Sequence, residues 1–196
     1  YIVISIIIAA TDMLLAVKSF EKNKTTGRFL GFACMGAAIV DISYLISIIS
    51  DSYMCMAIMS SIYFISIDFM LVSLLIFTVY FTKGKFSGYG KWMVAFCFLY
   101  CIYELIVFAV NPFMEIAIEY KPRDTLIAKY SYHMKPLYDL HLIFSYVMVL
   151  LVVGLLIRKI CKIPHEYRWQ YLSVIIGILI IVGTNAIFLF LPGESV

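Results

Sequence analysis

The chain has 196 residues, 64% of them hydrophobic and 14% charged, with a mean hydropathy of +1.00. Soluble domains are about half apolar and about a quarter charged, so a water-soluble globule is excluded; the apolar runs are unbroken rather than alternating, which excludes a β-barrel. The net charge of +3 comes without a dense basic run, so nucleic acid is not a partner, and the lipid bilayer is.

A membrane-crossing helix needs about 20 apolar residues. The first run covers residues 1–17. It opens on Tyr1 inside an apolar stretch, so its natural start is expected upstream, and no small-x-small site marks a cleavable signal. After the polar loop Lys18 to Thr26, a second span covers 27–49. Its Gly27, Gly31, Ala33, Gly36, Ala37 and Ala38 allow close helix approach. An acidic link, 50–53, leads to the third span, 54–81. A turn-rich link with Gly84, Gly88 and Gly90 precedes the fourth, 92–110.

The longest polar stretch is 111–136. Glu115 to Tyr120 alternates, Lys121-Pro122-Arg123-Asp124 reads as a turn, and Thr125 to Tyr132 suits a strand. A small extracellular hairpin is expected, with an amphipathic surface helix as the alternative. The fifth span is 137–157. A basic link with Pro164 leads to the sixth, 169–191, closed by Pro192-Gly193. The fold class is therefore all-α, a polytopic transmembrane helical bundle with six visible spans and a seventh expected beyond residue 196.

Orientation follows from the basic loops. Eleven of the 15 Lys and Arg residues fall in the links between spans one and two, three and four, and five and six. Basic loops stay cytoplasmic, so the N-terminus and residues 193–196 are expected outside a bacterial plasma membrane. Trp92 and Trp169 start spans at the cytoplasmic face and fit an aromatic belt.

Ionisable residues inside spans are functional hypotheses by default. Asp12, Asp41, Asp68 and Glu104 qualify, with Asp41 and Asp68 near the middle of their spans. No Lys or Arg lies deep enough to pair with them. Donors on the same helical faces include Tyr44, three residues from Asp41, and Tyr100, four from Glu104; Tyr63, Ser43, Ser66 and Ser73 add more. Two readings compete: carboxyls that tie helices together, and a polar cavity that binds a ligand or proton. No His is placed deep beside the acids, so no metal site is assigned, and no cofactor. His141 is placed near the outer end of the fifth span, either titrating near neutrality or anchoring the interface. Asn185 is mid-span and suits an interhelical hydrogen bond.

No GxxxxGK[ST], HExxH, GxSxG or GxGxxG motif occurs, and the five cysteines form neither CxxC pairs nor a Cys/His cluster. The chain is expected to be non-catalytic. The five prolines fall in loops or at span ends, which favours continuous helices over the broken ones of a transporter, the rival reading.

Pro136-Leu137-Tyr138-Asp139-Leu140-His141-Leu142-Ile143-Phe144-Ser145-Tyr146, then Tyr167-Arg168-Trp169-Gln170 and a run with Asn185 and Leu191-Pro192, resembles the N-terminal seven-transmembrane region of bacterial sensor histidine kinases and GGDEF-type diguanylate cyclases. Asn111-Pro112 is also similar. The resemblance is strongest over 111–192 and topological over 1–110. It places recurrent polar residues at His141, Tyr146, Arg168, Gln170 and Asn185; Asp139 stands where the family often has an aromatic. It implies an input module responding to a small-molecule, lipid or proton stimulus, a seventh span, a homodimer, and a kinase or cyclase output domain. The long outer loop and the Ile/Lys/Tyr-rich composition lean toward the cyclase. Candidate sensing residues are Asp41, Asp68, Glu104, His141, Tyr146 and Asn185.

Overall fold

The computed structural model describes residues 2–21, 24–83, 88–122, 130–169, 171, 172 and 174–178. Among these described residues, five helices are long and apolar enough to cross a membrane: α1 (Ile2–Glu21), α2 (Thr25–Ile49), α3 (Tyr53–Lys83), α4 (Gly88–Met114) and α5 (Pro136–Ile160). Between α4 and α5 lie two strands, β1 (Ile118–Pro122) and β2 (Tyr130–Met134). Residues 165–169, 171, 172 and 174–178 are helical; the rest of the expected sixth span, 179–191, lies outside the described residues. The helices overrun the apolar runs that signal them. α4, for example, starts at Gly88 and not at Trp92, because apolarity tracks the hydrocarbon core whereas backbone hydrogen bonding continues into the interface.

α3 is the hub. It packs against α2, α4 and α5, while α1 packs on α2. Its span is also the most enclosed of the five. The small residues of α2 let it pack closely on both neighbours, Gly31 against Phe20 of α1 and Gly36 against α3. Gly31, Ala33, Gly36 and Ala38 are buried, and a Cβ on Gly36 would stand 3.0 Å from Met70 Cβ and 3.2 Å from its Cα. The backbones approach there because no side chain intervenes. Outward-facing Ile, Leu and Val residues of α1 remain exposed to the surroundings, as expected where lipid is the solvent.

The hairpin is antiparallel, with Ile118 opposite Met134 and Tyr120 opposite Tyr132. It replaces the alternative of a surface helix; Lys121 and Pro122 of the expected turn belong to β1, and Arg123 and Asp124 lie, with the rest of 123–129, outside the described residues. Pro122 ends β1, where its missing N–H costs the ladder little. Ile118 and Tyr120 are buried against Met56 and Ala57 of α3. Tyr53 meets Tyr120 and Tyr130 edge to face, and Ser60 Oγ lies 3.3 Å from the Tyr132 hydroxyl.

Asn111, fully buried at the end of α4, joins helix to strand. Its Oδ1 accepts from the backbone N–H of Ala117 (2.8 Å) and Ile118 (3.0 Å), and its Nδ2 donates to Ile118 O and the Tyr120 hydroxyl, both at 3.2 Å. Burial pushes the Tyr120 phenol above its usual range, so it stays neutral. Pro112 lies inside α4, not after it, in the last turn. Glu115 follows with φ of 48°, the left-handed conformation that often ends a helix. Its carboxylate accepts from Tyr53, and its carbonyl accepts from Lys135 Nζ at 2.6 Å. The end of the bundle bearing the hairpin therefore also bears the α2–α3 link.

Candidate functional site

Two apolar clusters fill the bundle. One contains Phe64, Phe108, Ile118, Tyr120 and Tyr138, beneath the hairpin. The other contains Leu71, Val72, Cys97, Phe144, Met148, Tyr171 and Ile175. Helical spacing puts a polar layer between them. On α3, Asp68 falls between Phe64 and Leu71. On α4, Glu104 falls between Phe108 and Cys97. On α5, His141 falls between Tyr138 and Phe144.

The three side chains meet. His141 Nδ1 lies 3.0 Å from Glu104 Oε2 and 3.5 Å from Asp68 Oδ1. Exposure is 3% for Asp68, 1% for Glu104 and 4% for His141. His141 is thus not an interfacial anchor, and the expectation that no His lies deep beside the acids is overturned. Its ring is held edge-on by Phe64 (centroids 5.4 Å apart) and Phe108 (5.1 Å), with Tyr138 at 5.9 Å. This aromatic box aims Nδ1 at the carboxylates.

The cluster is under-satisfied. Both oxygens of Asp68 and Oε1 of Glu104 are buried without a hydrogen-bond partner among the described residues. Among the described residues, the ion-pair contact of Asp68 is with His141. Tyr100 lies beside Glu104, stacked on Phe144 at 3.7 Å between centroids, but its hydroxyl falls short of hydrogen-bond geometry. Cys101 Sγ reaches the Asp68 carbonyl at 3.9 Å.

The other candidates are elsewhere. Asp41 is half-buried and lines a groove with Ser5, Ile6, Ala9 and Met13 of α1, so it does not share a site with Asp68. Tyr44 packs its ring near Tyr63 at 5.6 Å. Ser43 hydrogen-bonds the Ile39 carbonyl at 2.6 Å, within its own helix. Tyr146 is half-buried on α5 and outside the three-residue cluster. Arg168 donates to the Ile163 carbonyl at 3.3 Å. Gln170 and Asn185 lie outside the described residues. Sequence reasoning missed the structural role of Asn111, although the Asn-Pro pair before an alternating segment was its signal.

No curated protein and no solved structure matches the chain. A family model does, described as the N-terminal 7TM region of histidine kinase, and it covers residues 1–195. The polytopic helical bundle and the family agree, and the region is not itself catalytic. The chain belongs to the family of N-terminal seven-transmembrane regions of histidine kinases.

Proposed function

We propose that this chain is the signal-input region of a sensor histidine kinase in a bacterial plasma membrane, and that the polar layer of Asp68, Glu104 and His141 is where its helices are biased. The observation that carries this reading is the meeting of the three buried ionisable groups, each from a different helix, between two apolar clusters. Such a layer is poorly satisfied in one arrangement of α3, α4 and α5, so a small-molecule, lipid or proton stimulus that favours another shifts the population. The hairpin couples to the layer through Phe64, Phe108 and Tyr138, which belong to the cluster beneath it and touch the His141 ring. The family's description supports a kinase output over a cyclase. Basic links at alternate loops support an N-terminus outside, and the family's seven-transmembrane description supports a seventh span leading inward; a homodimer as the signalling unit is part of the same proposal. Asp41, Tyr146 and Asn185 are secondary candidates.

The test is autophosphorylation of the full-length protein in proteoliposomes. Asp68→Asn, Glu104→Gln and His141→Ala should each change basal output several-fold, with insertion and abundance unaltered. Unchanged output in all three would remove the layer from signalling.

A further inference from the structure

The buried cluster has a charge problem that neighbouring side chains do not solve. Two carboxylates and one imidazole share a nearly water-free layer, and among the described residues the ion-pair contacts of Asp68 and Glu104 are both with His141. An isolated buried charge is costly, and buried polar atoms are normally hydrogen-bonded. Here both Asp68 oxygens and one Glu104 oxygen are not. A protonated His141 balances only one carboxylate.

A divalent cation balances both and leaves the imidazole neutral, as a ligand must be. The geometry suits one. Donor atoms bound about 2.0–2.2 Å from a zinc-like ion stand roughly 3.0–3.5 Å from each other. His141 Nδ1 is already 3.0 Å from Glu104 Oε2 and 3.5 Å from Asp68 Oδ1. One ligand atom from each of the three residues falls within 4.8 Å of the other two, so the Asp68 and Glu104 carboxylates close on a shared ion by side-chain rotation as it binds. One imidazole nitrogen with carboxylate oxygens is a donor set for Zn2+, Mn2+ or Fe2+, not for the soft Cu(I). The aromatic box around the ring fixes the direction of Nδ1 before any ion arrives.

We infer that Asp68, Glu104 and His141 form a binding site for a divalent transition-metal ion, which clips α3, α4 and α5 together inside the membrane. The inference deepens the input-domain reading of the same site and rests on it for its regulatory meaning. Metal occupancy is then the variable that the polar layer reports, because an ion held by three helices stabilises only the arrangement that brings all three ligands together.

The test uses the full-length protein in lipid nanodiscs, freed of metal with a chelator, and titrated with Co2+ as a spectroscopic probe and Zn2+ as competitor. Wild type should take up one equivalent of Co2+ with visible ligand-field bands that Zn2+ abolishes. Asp68→Asn, Glu104→Gln and His141→Ala should each weaken binding by about 100-fold or more, exceeding the roughly 10–100-fold of an outer-shell loss. Glu104→His, which keeps a donor atom, should restore binding to a protein that Glu104→Gln has silenced. Replacing the exposed His133, His165 and Cys161 together should leave the titration unchanged. Wild type without bands or Zn2+ uptake overturns the site, whatever the variants do, and so does equal uptake by a combined triple-ligand variant. Autophosphorylation recorded in the same nanodiscs separates the two ideas. Metal uptake with no change in output sinks the regulatory meaning and leaves the site. Output altered by the three substitutions without metal uptake sinks the site and leaves the input domain.

Discussion

At the scale of single residues, a few side chains decide how the bundle closes. Asn111 is the clearest case, because its four hydrogen bonds serve three neighbours at once. Asn111→Ala strands the buried N–H groups of Ala117 and Ile118, and a stranded buried donor costs about 1–3 kcal/mol. A loss of about 2–4 kcal/mol is expected in detergent unfolding, together with faster proteolysis within 117–135. A melting curve like that of wild type would show that Asn111 is not holding the strand. Two glycines offer a sharper contrast. A Cβ on Gly31 would meet the tip of the Phe20 ring at 2.8 Å, while one on Gly36 would meet Met70 Cβ at 3.0 Å with its Cα just behind. The shorter distance is the cheaper clash, because a ring at the end of a flexible side chain can swing and a helix backbone cannot. Gly36→Ala should therefore destabilise more than Gly31→Ala in thermal unfolding; the reverse order would place the close contact elsewhere. Gly36 was legible in sequence as one small residue among several, but which of them touches the α3 backbone was not.

At the scale of elements, the hairpin is a folded cap and not a passive linker. Its alternation, with Ile118 and Tyr120 facing in, was readable from the sequence because strand side chains repeat every two residues. Its anchor was not, since Tyr53 and Glu115 lie 62 positions apart. Glu115 holds a left-handed backbone conformation, and that position disfavours a β-carbon by about 1 kcal/mol. The Tyr53 hydrogen bond and the Lys135 contact offset this. Glu115→Gly relieves the backbone but forfeits the carboxylate, whereas Tyr53→Phe forfeits only the bond. In a double-mutant cycle the pair should couple by about 1 kcal/mol or more, as charge-assisted hydrogen bonds do. Additive effects would mean that the Tyr53–Glu115 bond does not anchor the hairpin, leaving it to Asn111 and apolar packing. Amide exchange of β1 should accelerate in Tyr53→Phe while that of α1 is unchanged.

At the scale of the whole molecule, stability and the proposed sensing role pull the polar layer in opposite directions. Buried ionisable groups with orphaned oxygens weaken a fold, and replacing a buried ionic cluster with apolar residues of similar volume is often stabilising. With metal removed from both, the combined Asp68→Leu, Glu104→Met, His141→Phe protein should melt at or above the wild-type temperature, while the output proposed for the full-length protein no longer responds to any condition that moves the wild type. A large fall in melting temperature relative to metal-free wild type would make the layer a packing device and not a switch. The membrane setting, the helices and the alternating hairpin were determined by the sequence itself, because apolar run length and side-chain period are local properties that the bilayer and the backbone enforce directly. Helical spacing even put each of Asp68, Glu104 and His141 between two apolar neighbours of its own helix. That His141 joins Asp68 and Glu104, while Asp41 turns to α1, was decided only by tertiary packing. The rotation and depth of one helix against another depend on contacts such as Gly36 on Met70 and Phe64 on Phe108, and no pattern within a single helix encodes them.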